Sequence, residues 1–166
     1  MGLEVAMKTN MLTYLDELLT KKISDYDVAL DWDKKNHTIM LVLRLFAENK
    51  EKVMIDDANG VASEEEVIEF EDGILLFNPQ KSQFEEEDYL AVLPYEGKKG
   101  MPKAMLNGLV DYLRVVLDDG QSDLLDFLTD ETAEVFELKF NNDVLLSFVN
   151  SHQTKDDDSY IPYPTY

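Results

Sequence analysis

Residues Tyr26 to Glu48 read YDVALDWDKKNHTIMLVLRLFAE, the longest stretch of the chain that has one structural character throughout. Its first half alternates, with Tyr26, Val28, Leu30 and Trp32 on one face and Asp27, Ala29, Asp31 and Asp33 on the other. A period of two is the mark of a strand with one buried face. The second half sets His37, Ile39, Leu41, Leu43, Leu45 and Ala47 on one side, while Met40, Val42 and Phe46 make the other side apolar too. Such a strand belongs inside a sheet, where both faces are covered. The polar run Lys34-Lys35-Asn36 between the halves favours a tight reversal, so the stretch predicts an antiparallel hairpin at the centre of the sheet.

On the N-terminal side, Met7, Met11 or Leu12, Leu15, Leu18, Leu19 and Ile23 fall at helical spacing, with Lys21 and Lys22 in the last turn. This predicts an amphipathic helix of about five turns. On the C-terminal side, Lys52 to Asp56 reads as a short strand stopped by Asn59-Gly60, and Ser63 to Glu66 has capping-box spacing for a helical turn. Val67 to Glu71 and Ile74 to Asn78 flank Asp72-Gly73, a dipeptide that tolerates the positive φ of a two-residue turn, and predict a second hairpin. Tyr89 to Tyr95 reads as an edge strand, because Pro94 has no N–H for a ladder.

Pro102 opens a helix whose face is Leu106, Leu109, Val110, Leu113, Val116 and Leu117, and Asp118-Asp119-Gly120 is read as its stop. A shorter helix capped by Ser122, a strand from Glu134 to Phe140 and a last helix from Asn142 complete the order. The reading is a single α+β domain over residues 1–150: an N-terminal helix, a mainly antiparallel sheet of about six to seven strands, and helices clustered in the C-terminal third. Residues 151–166 form an acidic, Tyr/Pro-rich tail.

The formal charge is −20, from 35 acids against 15 Lys and Arg, and there is no cysteine. The field repels phosphates and anionic lipid, which argues against direct nucleic-acid or membrane-surface binding and for a protein partner of basic or hydrophobic character. Residues 61–100 alone carry eleven acids against three bases. Without cysteine there are no disulfides or thiolate sites, and no apolar run approaches a membrane span, so a cytoplasmic protein is expected. A homodimer would have to bury enough apolar surface to offset like-charge repulsion.

Asp31, Asp33 and His37 are the candidate metal ligands, since two carboxylates two apart on a strand point the same way, about 7 Å apart. The calcium-loop pattern fails around them: counted from Asp31, Lys35 takes the third ligand position, Asn36 the place of the turn glycine and Val42 that of the closing glutamate. The plainer reading is a solvated strand face beside Lys34 and Lys35. His37 and His152 are the only histidines, no serine stands in a nucleophile elbow, and Gly97 and Gly100 bracket two lysines without matching a phosphate loop. No catalytic residue and no cofactor is assigned. Tyr89 and Tyr95 on the edge strand, and Tyr160, Tyr163 and Tyr166 interleaved with Pro162 and Pro164, are the candidate partner-binding residues; the tail alternatively covers an edge of its own sheet.

DYDVALDWDKKNH (25–37), FNPQKSQ (77–83), EEDYLAVLPYEGKKG (86–100), DLLDFL (123–128) and YPTY (163–166) together resemble a family of small acidic proteins of unknown function from lactic-acid bacteria, streptococci and enterococci. The resemblance implies a cytoplasmic bacterial protein and brings no activity, cofactor or catalytic residue. The functional expectation is therefore a noncatalytic interaction or regulatory module, chaperone-like in outline. The alternatives are a metal-assisted hydrolase using Asp31, Asp33 and His37, and a nucleic-acid mimic that binds a basic protein.

Overall fold

A computed structural model describes residues 9–48, 55–56, 62–63, 67–129, 135–153 and 159–165. Helix α1 (Met11–Lys22) begins where Asn10 caps it: the Asn10 side chain accepts from the Thr13 N–H at 3.1 Å and Thr13 Oγ1 accepts from the Asn10 N–H at 3.0 Å. That reciprocal cap fixes the start at Met11, so the helix has 12 residues, short of the expected five turns, and Met7 lies outside the described residues. Met11, Leu15 and Leu19 form its buried stripe.

Strands β1 (Asp27–Asp33) and β2 (Thr38–Glu48) pair antiparallel from Asp33↔Thr38 outward, as the polar run between them requires. Two short strands follow, β3 (Ile55–Asp56) and β4 (Ala62–Ser63), paired with each other, and then β5 (Val67–Phe77) and β6 (Ala91–Pro94). The main sheet has the order β1-β2-β5-β6. Thus β2 is an interior strand as expected, while β1 is an edge. The Asn59-Gly60 turn lies outside the described residues, as do Glu64 to Glu66 of the expected helical turn, whose Ser63 is in β4.

The expected hairpin at Asp72-Gly73 is absent. β5 runs straight through that dipeptide, and every residue from Val67 to Phe77 is paired with β2. Continuing an eleven-residue ladder on a long buried strand outweighs a local turn preference. Gly73 serves the ladder instead of a turn. A Cβ there would sit 2.9 Å from Met40 Sδ, so the glycine makes room for the neighbouring strand's side chain. The sheet is mainly antiparallel, as expected, but the count of six to seven strands is corrected to a main sheet of four, in which β6 alone pairs parallel, with β5. A parallel partner needs a long return, and residues 78–90 supply it, carrying a single 3₁₀ turn at Glu86–Asp88. The remaining short ladder joins β7 (Met101–Pro102) to β8 (Tyr160–Ile161).

The expected pair of helices after Pro102 is one, α2 (Lys103–Thr129). Its buried stripe continues without a break from Leu117 through Gly120 to Leu124 and Leu128. A glycine inside a helix costs about 1 kcal/mol, less than burying two further leucines returns. Gly120 is also where Leu138 seats: a Cβ would lie 2.3 Å from Leu138 Cδ2. α2 consequently begins in the middle of the chain and is not confined to its last third.

Residues 135–140, expected as a strand, form no ladder. Their alternation is real, since extended backbone points successive side chains opposite ways. Phe136 meets Phe70 edge-on, Leu138 is buried on Gly120, and Phe140 packs on Tyr112. Side-chain packing takes the place of a partner strand. Asn141 then caps α3 (Asn142–His152), accepting from the N–H groups of Asp143 and Val144, as the sequence predicts for a helix starting at Asn142. α2 and α3 touch at Gly108, where a Cβ would fall 2.6 Å from Val149 Cα.

The helices cover one face of the sheet. Ile39, Leu41, Leu43, Ile74 and Leu76 are the sheet's fully buried contribution to the core, joined by Leu15, Leu106, Leu109 and Leu113 from α1 and α2. Among the described residues, no helix is long and apolar enough to cross a membrane.

Candidate functional site

The end of the sheet where β2 begins and β5 and β6 finish is closed by loops and by the C-terminal segment. His37 is the last residue of the β1–β2 turn and adopts φ 57°, the only non-glycine positive φ among the described residues. Two hydroxyls hold it there: Tyr95 Oη donates to the His37 carbonyl at 2.5 Å, and Ser82 Oγ donates to the same oxygen at 3.0 Å. A left-handed residue other than glycine persists only where its surroundings fix it. Ser82 belongs to a turn of its own, in which Asn78 C=O accepts from the N–H groups of Lys81 and Ser82, and Asn78 Oδ1 accepts from the Gln80 N–H at 2.9 Å. Asn36 latches the turn to the crossover by exchanging hydrogen bonds with the Gln83 backbone at 2.7 and 2.8 Å.

The C-terminal segment forms the other wall. Tyr163 stacks on Tyr95 with ring centroids 4.7 Å apart and an interplanar angle of 10°, and Trp32 Nε1 donates to Tyr163 Oη at 2.7 Å. The backbone is pinned in parallel: the Tyr163 N–H donates to the Lys98 carbonyl at 3.2 Å and the Met11 N–H to the Pro162 carbonyl at 2.9 Å. Beneath it lies the turn Gly97–Lys99. Gly100, at φ 83°, passes so close that a Cβ would stand 1.9 Å from the Ile161 carbonyl oxygen. Only glycine fits under that strand.

These segments enclose a cleft of about 420 Å³, lined by His37, by Asn78, Gln80 and Lys81, by Tyr95, Gly97 and Lys98, and by Tyr163, Pro164 and Thr165. A second lobe of about 430 Å³ adjoins it across Asn78, Gln80, Tyr95 and Gly97 and is bounded by Pro79 and Glu96. The first lobe has an apolar wall of two tyrosines and a proline, and a polar side made of amides, an imidazole and two ammonium groups. Among the described residues no carboxylate side chain lines it.

The structure brings His37, Tyr95 and Tyr163 together, although from sequence they fall into two separate groups of candidates. Tyr95 is 2% exposed and Tyr163 9% exposed, so both spend most of their surface on the chain itself. Tyr160 is in β8, outside the cleft lining, with Lys99 Nζ 4.0 Å from its ring centre. Tyr89 joins a different cluster, edge-on to Phe84, which packs on Phe77. Tyr166 is outside the described residues. Asp31 and Asp33 lie exposed on β1, Asp33 Oδ1 accepting from the Asn36 N–H at 3.1 Å, and no three His, Asp or Glu side chains among the described residues are grouped to hold a metal ion. Asn78, Gln80, Lys81 and Lys98 are cleft residues that the sequence does not single out. A signal is present in the lysine pair between Gly97 and Gly100, but its meaning depends on what the tail places above it.

His152, within the stretch 151–166 that the sequence reads as a tail, ends α3 and hydrogen-bonds Asp111. Lys22 Nζ donates to the other oxygen of Asp111 at 2.7 Å. Partial burial works to raise the Asp111 pKa, but the hydrogen bonds from Lys22 and His152 and their charges outweigh it and hold the carboxylate below its ordinary range. The Tyr26 hydroxyl, partly desolvated and bonded to Asp118 at 2.6 Å, is pushed up to about 12. Both groups tie α2 to its neighbours, away from the cleft.

The chain belongs to DUF3013, a family of proteins of unknown function, whose model matches residues 6–165. It is similar to the crystal structure of a conserved protein of unknown function from Enterococcus faecalis, at 54% identity and a TM-score of 0.87, over 95% of this chain and 97% of that one. No curated protein matches it. The family of unknown function and the enterococcal relative agree with those two parts of the resemblance carried by the sequence.

Proposed function

We propose that this DUF3013 protein is a noncatalytic recognition module of the bacterial cytoplasm whose reading site is the cleft between His37, the Asn78–Ser82 turn and the C-terminal segment. The observation that carries the reading is the division of labour inside the cleft. Backbone groups, hydroxyls and the Asn78 carbonyl oxygens build it, while the ammonium groups of Lys81 and Lys98 line it without holding it together. A concave site with an apolar wall and a few convergent polar groups is the general form of a ligand pocket. The acidic surface outside the cleft suits the basic or hydrophobic protein partner expected from composition, with the cleft as the point at which a ligand informs that interaction.

The test is a fragment screen read by amide chemical shifts on the full chain. Hits should perturb His37, Asn78 to Ser82, Tyr95 to Lys98 and Tyr163 to Thr165 together, and should be recovered chemically unchanged. Hits that gather elsewhere would remove the cleft as the reading site, and turnover of a cleft-bound fragment would make the protein an enzyme.

A further inference from the structure

We infer that the cleft is an anion site, built for a carboxylate or phosphate head group carried on a flat apolar body. The inference rests on the cleft being the reading site and names the class of ligand it takes. About one residue in five of this chain is acidic, from 35 in 166, yet among the described residues none lines the lobe that holds Lys81 and Lys98, and Glu96 borders only the adjoining one. Within residues 61–100, where eleven acids face three bases, two of the three bases, Lys81 and Lys98, converge on this one cavity from turns on either side of β6.

Neither ammonium group is spent on the fold. Among the described residues no carboxylate pairs with Lys81 or Lys98, whereas Lys22, Arg44 and Arg114 are all paired. Lys21, Lys35, Lys99 and Lys103 also have no acid partner among the described residues, so what distinguishes Lys81 and Lys98 is that both line one cavity free of described carboxylates. Asn78 adds a third donor. Its side chain is 8% exposed, its Oδ1 is taken by the Gln80 N–H, and its Nδ2 donates to no described residue. The position of Lys98 is fixed from below and above, by the positive φ angles of Gly97 and Gly100 and by the hydrogen bond from the Tyr163 N–H to its carbonyl.

The apolar requirement comes from the opposite wall. Tyr95, Tyr163 and Pro164 give flat, rigid surface at little entropic cost, and the cavity of about 420 Å³ has room for a ring beside the head group. The surrounding negative field opposes entry of any anion, but at physiological salt it is screened beyond about 8 Å. Selection therefore falls to the groups within the cleft.

The experiment is a chemical-shift titration of the full chain at physiological salt with phenyl phosphate, benzoate and benzyl alcohol. Phenyl phosphate or benzoate should saturate the cleft amides, with benzyl alcohol about tenfold weaker or more, and a response to one of the two anions alone identifies the head group. The double variant Lys81→Gln, Lys98→Gln changes two side chains outside the core, so its melting temperature should be unaltered, while anion affinity falls about tenfold or more and that for benzyl alcohol stays. Benzyl alcohol binding as tightly as the anions, or undiminished anion binding by the double variant, overturns the anion assignment and leaves the cleft a binding site. No response of the cleft to any of the three, together with an empty fragment screen, overturns the reading beneath it.

Discussion

On the helix-covered face of the sheet, Leu41, Leu43 and Leu76 are 0% exposed and sit in a continuous apolar cluster where glycines let neighbouring groups approach. At the cleft end of the same sheet, closure is made by a strained His37, two hydroxyls on its carbonyl, a pair of stacked tyrosines and a C-terminal segment held by a two-residue ladder. The first region is stabilised by area removed from water, which is insensitive to direction. The second is held by a few directional contacts, each worth about 1 kcal/mol, around space left open. One chain thus devotes its leucines to stability, and a few tyrosines, glycines and lysines to shaping a site.

The largest effect should come from breaking the first region. Leu41→Ala removes a fully buried side chain from an interior strand and should cost about 2–5 kcal/mol, read as a lower urea midpoint. The amide shifts of the cleft should be unchanged in the fraction that stays folded. If the cleft shifts move as far as those of the core, the two regions are not separable.

A smaller effect sharpens the second region. Tyr163→Phe keeps the stack on Tyr95 and removes the hydrogen bond from Trp32 Nε1, so it should cost about 1 kcal/mol. Trp32 is the only tryptophan, which makes its fluorescence a reporter of the cleft wall. A shifted emission maximum with little change in midpoint is the expected pair of results. An unshifted spectrum would mean that the tail does not contact Trp32 in solution.

The smallest effect lies at the border between the regions. Asp72 sits opposite Leu43 in the ladder, and burial first, then the charge of Glu137, raises its pKa against the lowering hydrogen bonds from Gly73 and Leu90 N–H. A carboxyl raised in the fold adds stability below the ordinary carboxylate range, and that stability is lost as pH rises through its raised pKa. At neutral pH the ionised form is therefore a small burden. Asp72→Asn should raise the urea midpoint at neutral pH and give no gain below the carboxylate range. A loss at neutral pH would show that the charge, and not only the Gly73 hydrogen bond, is needed there.

The hairpin of β1 and β2, the buried phase of β2, the edge position of β6 and the start of α3 are all legible in the sequence, because each follows from local periodicity or a turn residue. The same local rules misread Asp72-Gly73 as a turn and Asp118-Asp119-Gly120 as a helix end. In both cases the glycine answers to a partner distant in sequence: Met40 across the ladder for Gly73, and Leu138 over the helix for Gly120. Residues 135–140 show the converse, an alternation with no strand to pair it. The candidate site is half legible. His37, Tyr95 and Tyr163 stand out as residues, but Lys81 and Lys98 read as ordinary members of polar turns.

By itself the sequence determined the charge of the molecule, the absence of thiol chemistry and the segments that must hide from water, since these are sums and periods over neighbouring residues. Only the tertiary structure decided that two of the few bases in the most acidic stretch share a cavity that no described carboxylate lines. That convergence depends on the parallel return of β6, on Gly100 passing beneath Ile161 and on Tyr163 landing on Tyr95. Each is a contact between parts of the chain whose separation no local pattern encodes.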